Sequence, residues 1–557
     1  MNIDIAKLGY RWKGIYSQYI AYTDNDVVYQ NGGAYVIKNG LPVAFGLGQQ
    51  MATSAGQVLT GNAPVSGIPD TALHSNGNDS MEFRFMGGRN GVIATKLMST
   101  DRMECSGNNL SQSYMSAIMS DGSVRVWGLK SNGQTGTGLY STENYTFPTR
   151  VAFPPGTPRI TQVVSNWNDT YFLDAAGAVY HCGANRGDYM SGRNTTGATG
   201  IPTKINGFGD LGVNTVITKI FQSNSYAASP SMFLLDNVGR VYCWGYNGYG
   251  NLGNGTINNI LVPYLVPFTV ITPIKDIYAT ARYAASFLIT TTGIMYTAGE
   301  TNTSLYTATN REFRPVMPWG FNKTVKQVFG CETYYSYTDG EGNAQSPAIR
   351  RYGVVLDNGE MWCWGDAGGG YNDGFGISYT TAVFQGNAIY PIKVLDGVAF
   401  AQANAGWNTM LALMNDGTVK WEGYNGQGLG GALANRQTWI TIGDSFLTGI
   451  TKLRMYGYGS YSTAVALRSD GRVVVWGYGG NGHAGDGYNT STNYPNKYLL
   501  IDKTVVDFEA GTQFGAGGGA LYCLTSDGQV MVHGAGGYGM GGDDDSDSRY
   551  APAPIIF

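Results

Sequence analysis

Charge is scarce in this chain of 557 residues: Asp, Glu, Lys and Arg together make up 13% of it, where soluble proteins carry about 25%. The 35 basic residues are outnumbered by 39 acidic ones, a formal charge of −4. The basic excess that holds a phosphate backbone is absent, so nucleic acid is not an expected partner. No apolar run approaches the ~20 residues of a membrane-spanning helix, and membrane insertion is not expected either. The first fourteen residues carry Lys7, Arg11 and Lys13 without an apolar stretch leading to a small-residue cleavage site. The expectation is a chain made and kept in a cytoplasm.

Metal-ligating and catalytic residue types are equally thin. Cys105, Cys182, Cys243, Cys331, Cys363 and Cys523 form no CxxC pair and have no histidine at ligand spacing. That argues against a disulfide framework and a zinc site, and predicts free, buried thiols. The four histidines, His74, His181, His483 and His533, offer no catalytic dyad by spacing. No catalytic residue, metal site or cofactor is expected, and the chain is read as a non-enzyme.

What the chain has in excess is glycine, 82 residues, and tyrosine, 39. The glycines are paced. Gly122/Gly128, Gly177/Gly183, Gly239/Gly245, Gly293/Gly299, Gly359/Gly365, Gly417/Gly423, Gly471/Gly477 and Gly528/Gly534 are eight pairs, each six apart. Two residues after each first glycine stand Val124, Val179, Val241, Met295, Met361, Val419, Val473 and Val530. Four residues before it stand Ile118, Leu173, Leu235, Ile289, Val355, Leu413, Leu467 and Leu524. Both columns are apolar throughout, which marks an internal repeat.

Each unit reads as a β-hairpin. A strand ends on an apolar residue, a turn such as Ser120-Asp121-Gly122 or Ser469-Asp470-Gly471 supplies positive φ, and an alternating strand such as Arg472–Trp476 returns. The second glycine often follows a tryptophan (Trp127, Trp244, Trp364, Trp476), whose ring is expected to cover a closely approaching backbone. By subtraction the second glycines lie 55, 62, 54, 66, 58, 54 and 57 residues apart, room for about four short strands. Sheets of that size bury both faces by stacking radially, so an all-β propeller is the inferred fold.

The succession of apolar residue, Asp-Gly, alternating strand, Trp-Gly and Asn-Gly-x-Gly-x-x-Gly resembles the repeats of the chromosome-condensation regulator (RCC1-like) propellers. The resemblance covers residues 96 to 557, weakening where Ala298, Glu422 or His533 replaces the tryptophan. It implies seven blades, the usual number; eight matches leave an eighth open. The terminal stretch Pro552–Phe557 reads as a strand completing a blade with material from the other end of the propeller. Residues 1–95 read as a small β-rich attachment module plus linker, because Trp12, Tyr16, Tyr22, Asp26-Val27-Val28, Gly32-Gly33 and Tyr35 are spaced as in carbohydrate-binding-like modules and near the N-termini of tailed-bacteriophage structural proteins. A generic hairpin cap is the alternative. Asn39-Gly40 with Gly46 repeats the six-residue spacing, but Pro42 occupies the apolar column, so no ninth unit is counted.

Three GxGxxG strings, at Gly248/Gly250/Gly253, Gly426/Gly428/Gly431 and Gly537/Gly539/Gly542, fall at one point of the repeat with no helix to follow. They are read as structural turns, not dinucleotide sites. The acidic run Asp543–Asp547 lacks the spacing of a calcium loop and reads as a solvated loop. An insertion holding Tyr334, Tyr335, Tyr337, Asp339, Glu341 and Asn343, followed by Arg350 and Arg351, is the candidate recognition surface, since Tyr-rich loops give contact area at low entropic cost; packing of these tyrosines against the adjoining blade is the alternative.

Taken together, the two resemblances imply a bacteriophage virion protein, a tail fibre or capsid fibre attached through Trp12, Tyr16, Tyr22 and Tyr35. Its partners would be other virion proteins, with a host glycan or outer-membrane protein at the recognition loops; homo-oligomerisation is left open. The alternative is a regulator or inhibitor gripping one folded protein across a propeller face. A glycan depolymerase is the third reading.

Overall fold

The computed structural model describes residues 27–46 in part, 94–99, 105–106 and, with gaps in several connections, 114–555. From residue 94 onward, eight antiparallel sheets follow one another, spanning 94–150, 160–204, 217–265, 274–315, 325–395, 398–441, 450–477 and 505–555. These are blades 1 to 8. Seven contain a four-stranded meander; among the described residues blade 7 has three strands and a bridge between Val474 and Tyr498 where a fourth would lie.

Eight apolar clusters hold the ring, one at each junction between successive blades. Between blades 2 and 3, for example, Leu173, Val179 and Met190 pack against Ile220, Met232 and Trp244. The last junction sets Tyr522, Leu524, Val532 and Ile555 of blade 8 against Met115, Ala117 and Trp127 of blade 1. The propeller is therefore eight-bladed, the larger of the two counts left open by the repeat.

That junction also corrects the expectation for the terminal stretch. Arg549–Ile555 pairs with Val530–Gly534 of its own blade. Blade 8 supplies all its strands from consecutive chain, so closure is side-chain packing between two complete sheets.

The glycine metre has two physical causes. All eight first glycines have positive φ, from 79° to 90°. In blade 1 the Gly122 N–H donates to the Met119 carbonyl and the Met119 N–H to that of Ser123, both at 2.9 Å, the turn-plus-bulge hairpin that places glycine in the left-handed region. The second cause lies in the neighbouring blade. The Gly239, Gly359, Gly417 and Gly471 carbonyls accept from the N–H of Ile274, Val398, Ile450 and Val505, each the first residue of the next blade's inner strand. The residue just before that strand then accepts from the following turn, as in Thr291 to Pro273, Asn415 to Gly397 and Ser469 to Gly449. A chain of backbone hydrogen bonds thus runs round this face from blade to blade.

A Cβ at Gly417 would stand 3.0 Å from Gly449 Cα, at a φ of +79°. Gly417→Ala is accordingly expected to cost about 1–3 kcal/mol, read as a lower urea midpoint. No change in the midpoint would mean that the turn does not need glycine.

Ahead of the ring, Val27–Gln30, Gly33–Lys38 and Leu41–Gly46 form a three-stranded antiparallel sheet. Tyr35 lies on its middle strand, paired with Val28 and Ala44. Trp12, Tyr16 and Tyr22 lie outside the described residues.

Candidate functional site

An antiparallel meander sends alternate connections to opposite ends. The Asp-Gly turns and the links between blades therefore share one face of the ring, here the turn face. The first and third connections of each blade share the other, the loop face.

On the loop face, the third connections of blades 1, 2, 6 and 7 are gripped by the following blade. Trp244 Nε1 donates to the Met190 carbonyl at 3.0 Å and Trp476 Nε1 to that of Leu429 at 2.9 Å. At two positions where the tryptophan is replaced the contact persists: the Cys182 thiol donates to the Gln134 carbonyl at 3.4 Å, and His533 Nδ1 lies 3.1 Å from the Gly482 carbonyl. Beneath the Trp244 ring, Gly192 leaves no room for a Cβ, which would come within 3.0 Å of the indole. The ring does cover a closely approaching backbone, as expected, and in blade 3 that backbone belongs to blade 2. Asn247 orders its own turn, accepting from the Leu252 N–H at 2.9 Å and donating to the Thr256 and Asn258 carbonyls. After the Gly248/Gly250/Gly253 string comes a β-bridge at Asn254, not a helix.

The His533 contact requires a proton on Nδ1, because a carbonyl only accepts. Burial pushes the imidazole down from 6.5 to about 4. Between those values the unfolded chain binds the proton and the folded chain does not, so stability is expected to fall as pH drops from about 6.5 towards 4. His533→Trp, which keeps an N–H donor and removes the titration, should flatten that part of the stability curve. An unchanged slope would assign the pH dependence to other groups.

Spacing offered no catalytic dyad, yet the fold builds an Asp–His pair. His181 Nε2 lies 2.8 Å from Asp169 Oδ1, with exposures of 0% and 1%. The same oxygen accepts from the Asn185 N–H at 2.9 Å. Hairpin register makes the pair, by setting Asp169 opposite Gly183 two residues past the histidine. It does not read as a catalytic centre: both groups are sealed from solvent, and burial holds the neighbouring Cys182 thiol well above its ordinary value. The pair orders the bend at Asn185. Among the described residues, Cys182, Cys243, Cys363 and Cys523 are buried thiols outside any disulfide.

The insertion of blade 5 is a projecting hairpin. Val325–Tyr334 and Ala348–Leu356 run for ten and nine residues and stay paired out to Tyr334 opposite Ala348. Beyond them Tyr337–Thr338 pairs with Ala344–Gln345. Tyr334, Tyr337, Arg350 and Arg351 are thus brought onto one extended element of the loop face. Tyr335, Asp339, Glu341 and Asn343 lie outside the described residues, as does Asp543–Asp547.

A second surface escaped the sequence reading. On the turn face of blades 3 and 4, Val216, Val238, Val270, Ile271 and Ile294 are exposed, Ile271 to 83%. The turn of blade 3 is bonded to the links on either side of it, through Asn237 N–H to the Val216 carbonyl and Ile274 N–H to that of Gly239. The turn of blade 4 joins the same rim through Thr291 N–H to the Pro273 carbonyl. These positions are isolated apolar residues in turns and links, with no periodicity to mark them.

The fold and its repeat define an RCC1-like β-propeller of eight blades. Residues 238–285, from the turn of blade 3 to the residue before the second strand of blade 4, match the regulator of chromosome condensation (RCC1) repeat. The chain is 25% identical over 313 residues to the mitochondrial RCC1 domain-containing protein RUG3 of Arabidopsis thaliana, covering 53% of this chain and 61% of that one. It is 24% identical over 388 residues to the E3 ubiquitin-protein ligase HERC2 of Mus musculus, covering 67% of this chain. It spans less than two thirds of the plant relative and 7% of HERC2. Among solved structures it is similar to human WBSCR16, at a TM-score of 0.49 and 16% identity over 69% of this chain and 96% of that one. Yeast RCC1 (Prp20) bound to Kap60 gives 0.46 and 15% over 78% and 93%.

Proposed function

We propose that this chain is a non-enzymatic protein-binding propeller that engages a folded partner through its faces. The observation that carries the reading is the rim of exposed valine and isoleucine on blades 3 and 4. Exposed apolar groups clustered on a hydrogen-bonded, pre-organised frame offer contact area at little ordering cost. The blade-5 hairpin, with its tyrosines and arginines, is the second recognition element, on the opposite face. Two variants separate them: Val270→Asp with Ile271→Asp, and replacement of residues 336–346 by Asn-Gly. An affinity-tagged full chain, expressed in its native setting, should recover a stoichiometric protein partner that one of these variants loses while its melting temperature stays unchanged. Equal recovery by both variants, or no stoichiometric partner, overturns the reading.

A second reading places the same propeller on a bacteriophage particle, as a tail fibre or capsid fibre attached through residues 1–95 and meeting a host glycan or outer-membrane protein. It is favoured by the aromatic spacing of Trp12, Tyr16, Tyr22 and Tyr35, and by the small β-sheet at residues 27–46. Mass spectrometry of purified particles tests it: stoichiometric recovery supports a virion location, and recovery only in the particle-free fraction ends it.

A further inference from the structure

The inner strand of each blade is an edge strand, and such edges are templates for further pairing unless charge or cover protects them. Lysine, arginine or a carboxylate stands on most of these strands: Lys96, Lys219, Lys275, Lys326, Lys452, Arg454, Asp507 and Glu509. The inner strands of blades 2 and 6 carry none. That of blade 6, Val398–Asn404, reads Val-Ala-Phe-Ala-Gln-Ala-Asn and has three alanines. A short side chain at every second position lets another backbone come close.

This edge is occupied. Cys105–Ser106 pairs with it in parallel, Cys105 opposite Ala403 and Ser106 opposite Asn404, and also lies against the inner strand of blade 5. The occupant comes from blade 1, out of the connection between strands Ala94–Ser99 and Tyr114–Met119. Blades 7 and 8 separate blade 1 from blade 6 on one side and blades 2 to 5 on the other, so Cys105–Ser106 pairs with a blade that is not a neighbour of its own. Ala403 and Asn404 end their strand, which places the pairing at the loop-face mouth.

We propose that the inner edge of blade 6 is a strand-addition site for an extended polypeptide segment of a partner, and that Cys105–Ser106 is its built-in occupant. Recognition is through backbone hydrogen bonds, so it tolerates sequence but requires N–H donors. Two paired residues hold the native occupant only lightly, since they make few backbone hydrogen bonds and each adds little net stability in water. Its advantage over a partner is tethering, equivalent to an effective concentration on the order of millimolar.

The probe is a fluorescent peptide of residues 99–112, followed by anisotropy with the full chain. A variant with residues 100–112 replaced by a Gly-Ser linker of equal length should bind it saturably. The natural chain should bind at least about tenfold more weakly, and a peptide with proline at the positions of Cys105 and Ser106 should not bind. Equal binding to both proteins, binding of the proline peptide, or no binding to a folded linker variant overturns the proposal. A second measurement does not depend on the linker variant folding. Paired strands lie about 5 Å apart, within the span a disulfide bridges. Ala403→Cys in the full chain should therefore give, on mild oxidation, a disulfide between Cys105 and the introduced thiol. Peptide mapping that finds both thiols free would show that the edge is not occupied.

Discussion

Trp476→Ala is expected to destabilise the propeller by about 3–5 kcal/mol, the range for truncating a buried aromatic. The indole is 0% exposed and sits in the cluster joining blades 6 and 7, beside Leu429, Leu453, Ala464 and Val474. Its Nε1–H reaches the Leu429 carbonyl of blade 6 at 2.9 Å. The substitution opens a cavity at a blade junction and leaves a buried carbonyl with one donor fewer. Hydrogen exchange should quicken in both blades, because the lost contacts belong to the junction. A loss below about 1 kcal/mol, or exchange that quickens in blade 7 alone, would mean that the column serves its own blade.

Gln402→Leu is expected to cost about 2–5 kcal/mol, although it exchanges a polar side chain for an apolar one of similar size. The amide is buried and clasps the neighbouring inner strand at both ends: Nε2 donates to the Met455 carbonyl and Oε1 accepts from the Met455 N–H, each at 2.8 Å. Leucine leaves both backbone groups unpaired, and each buried orphan costs about 1–3 kcal/mol. Gln327 clasps Ala401 and Gln162 clasps Ile220 in the same two-bond manner. The glutamines therefore act as staples between inner strands, which share no ladder of their own from one blade to the next. Urea titration of Gln402→Leu tests this. A midpoint equal to the natural chain's would show that the two backbone groups find other partners.

Residues whose role is local were legible in the sequence. Positive φ at a hairpin turn demands glycine whatever surrounds it, and strand residues facing two neighbouring sheets must be apolar. Eight glycine pairs with two apolar columns were therefore enough to count units and infer a propeller. The blade-5 insertion was visible as an excess of length between repeats, and the paired register makes it a hairpin rather than an unstructured loop. Gln162, Gln327 and Gln402 gave no signal, because one glutamine in a strand looks like any other until a neighbouring backbone is placed opposite it.

Local preference alone settled the turns, the strands and the recurrence of the unit, since backbone sterics and side-chain burial act over a few residues. The count of blades that closes the ring depended on how eight sheets pack around one axis. So did the pairing of Asp169 with His181, the exposed rim of blades 3 and 4 and the reach of Cys105 to blade 6. Those contacts join residues far apart along the chain, and their free energy exists only once the sheets stand side by side.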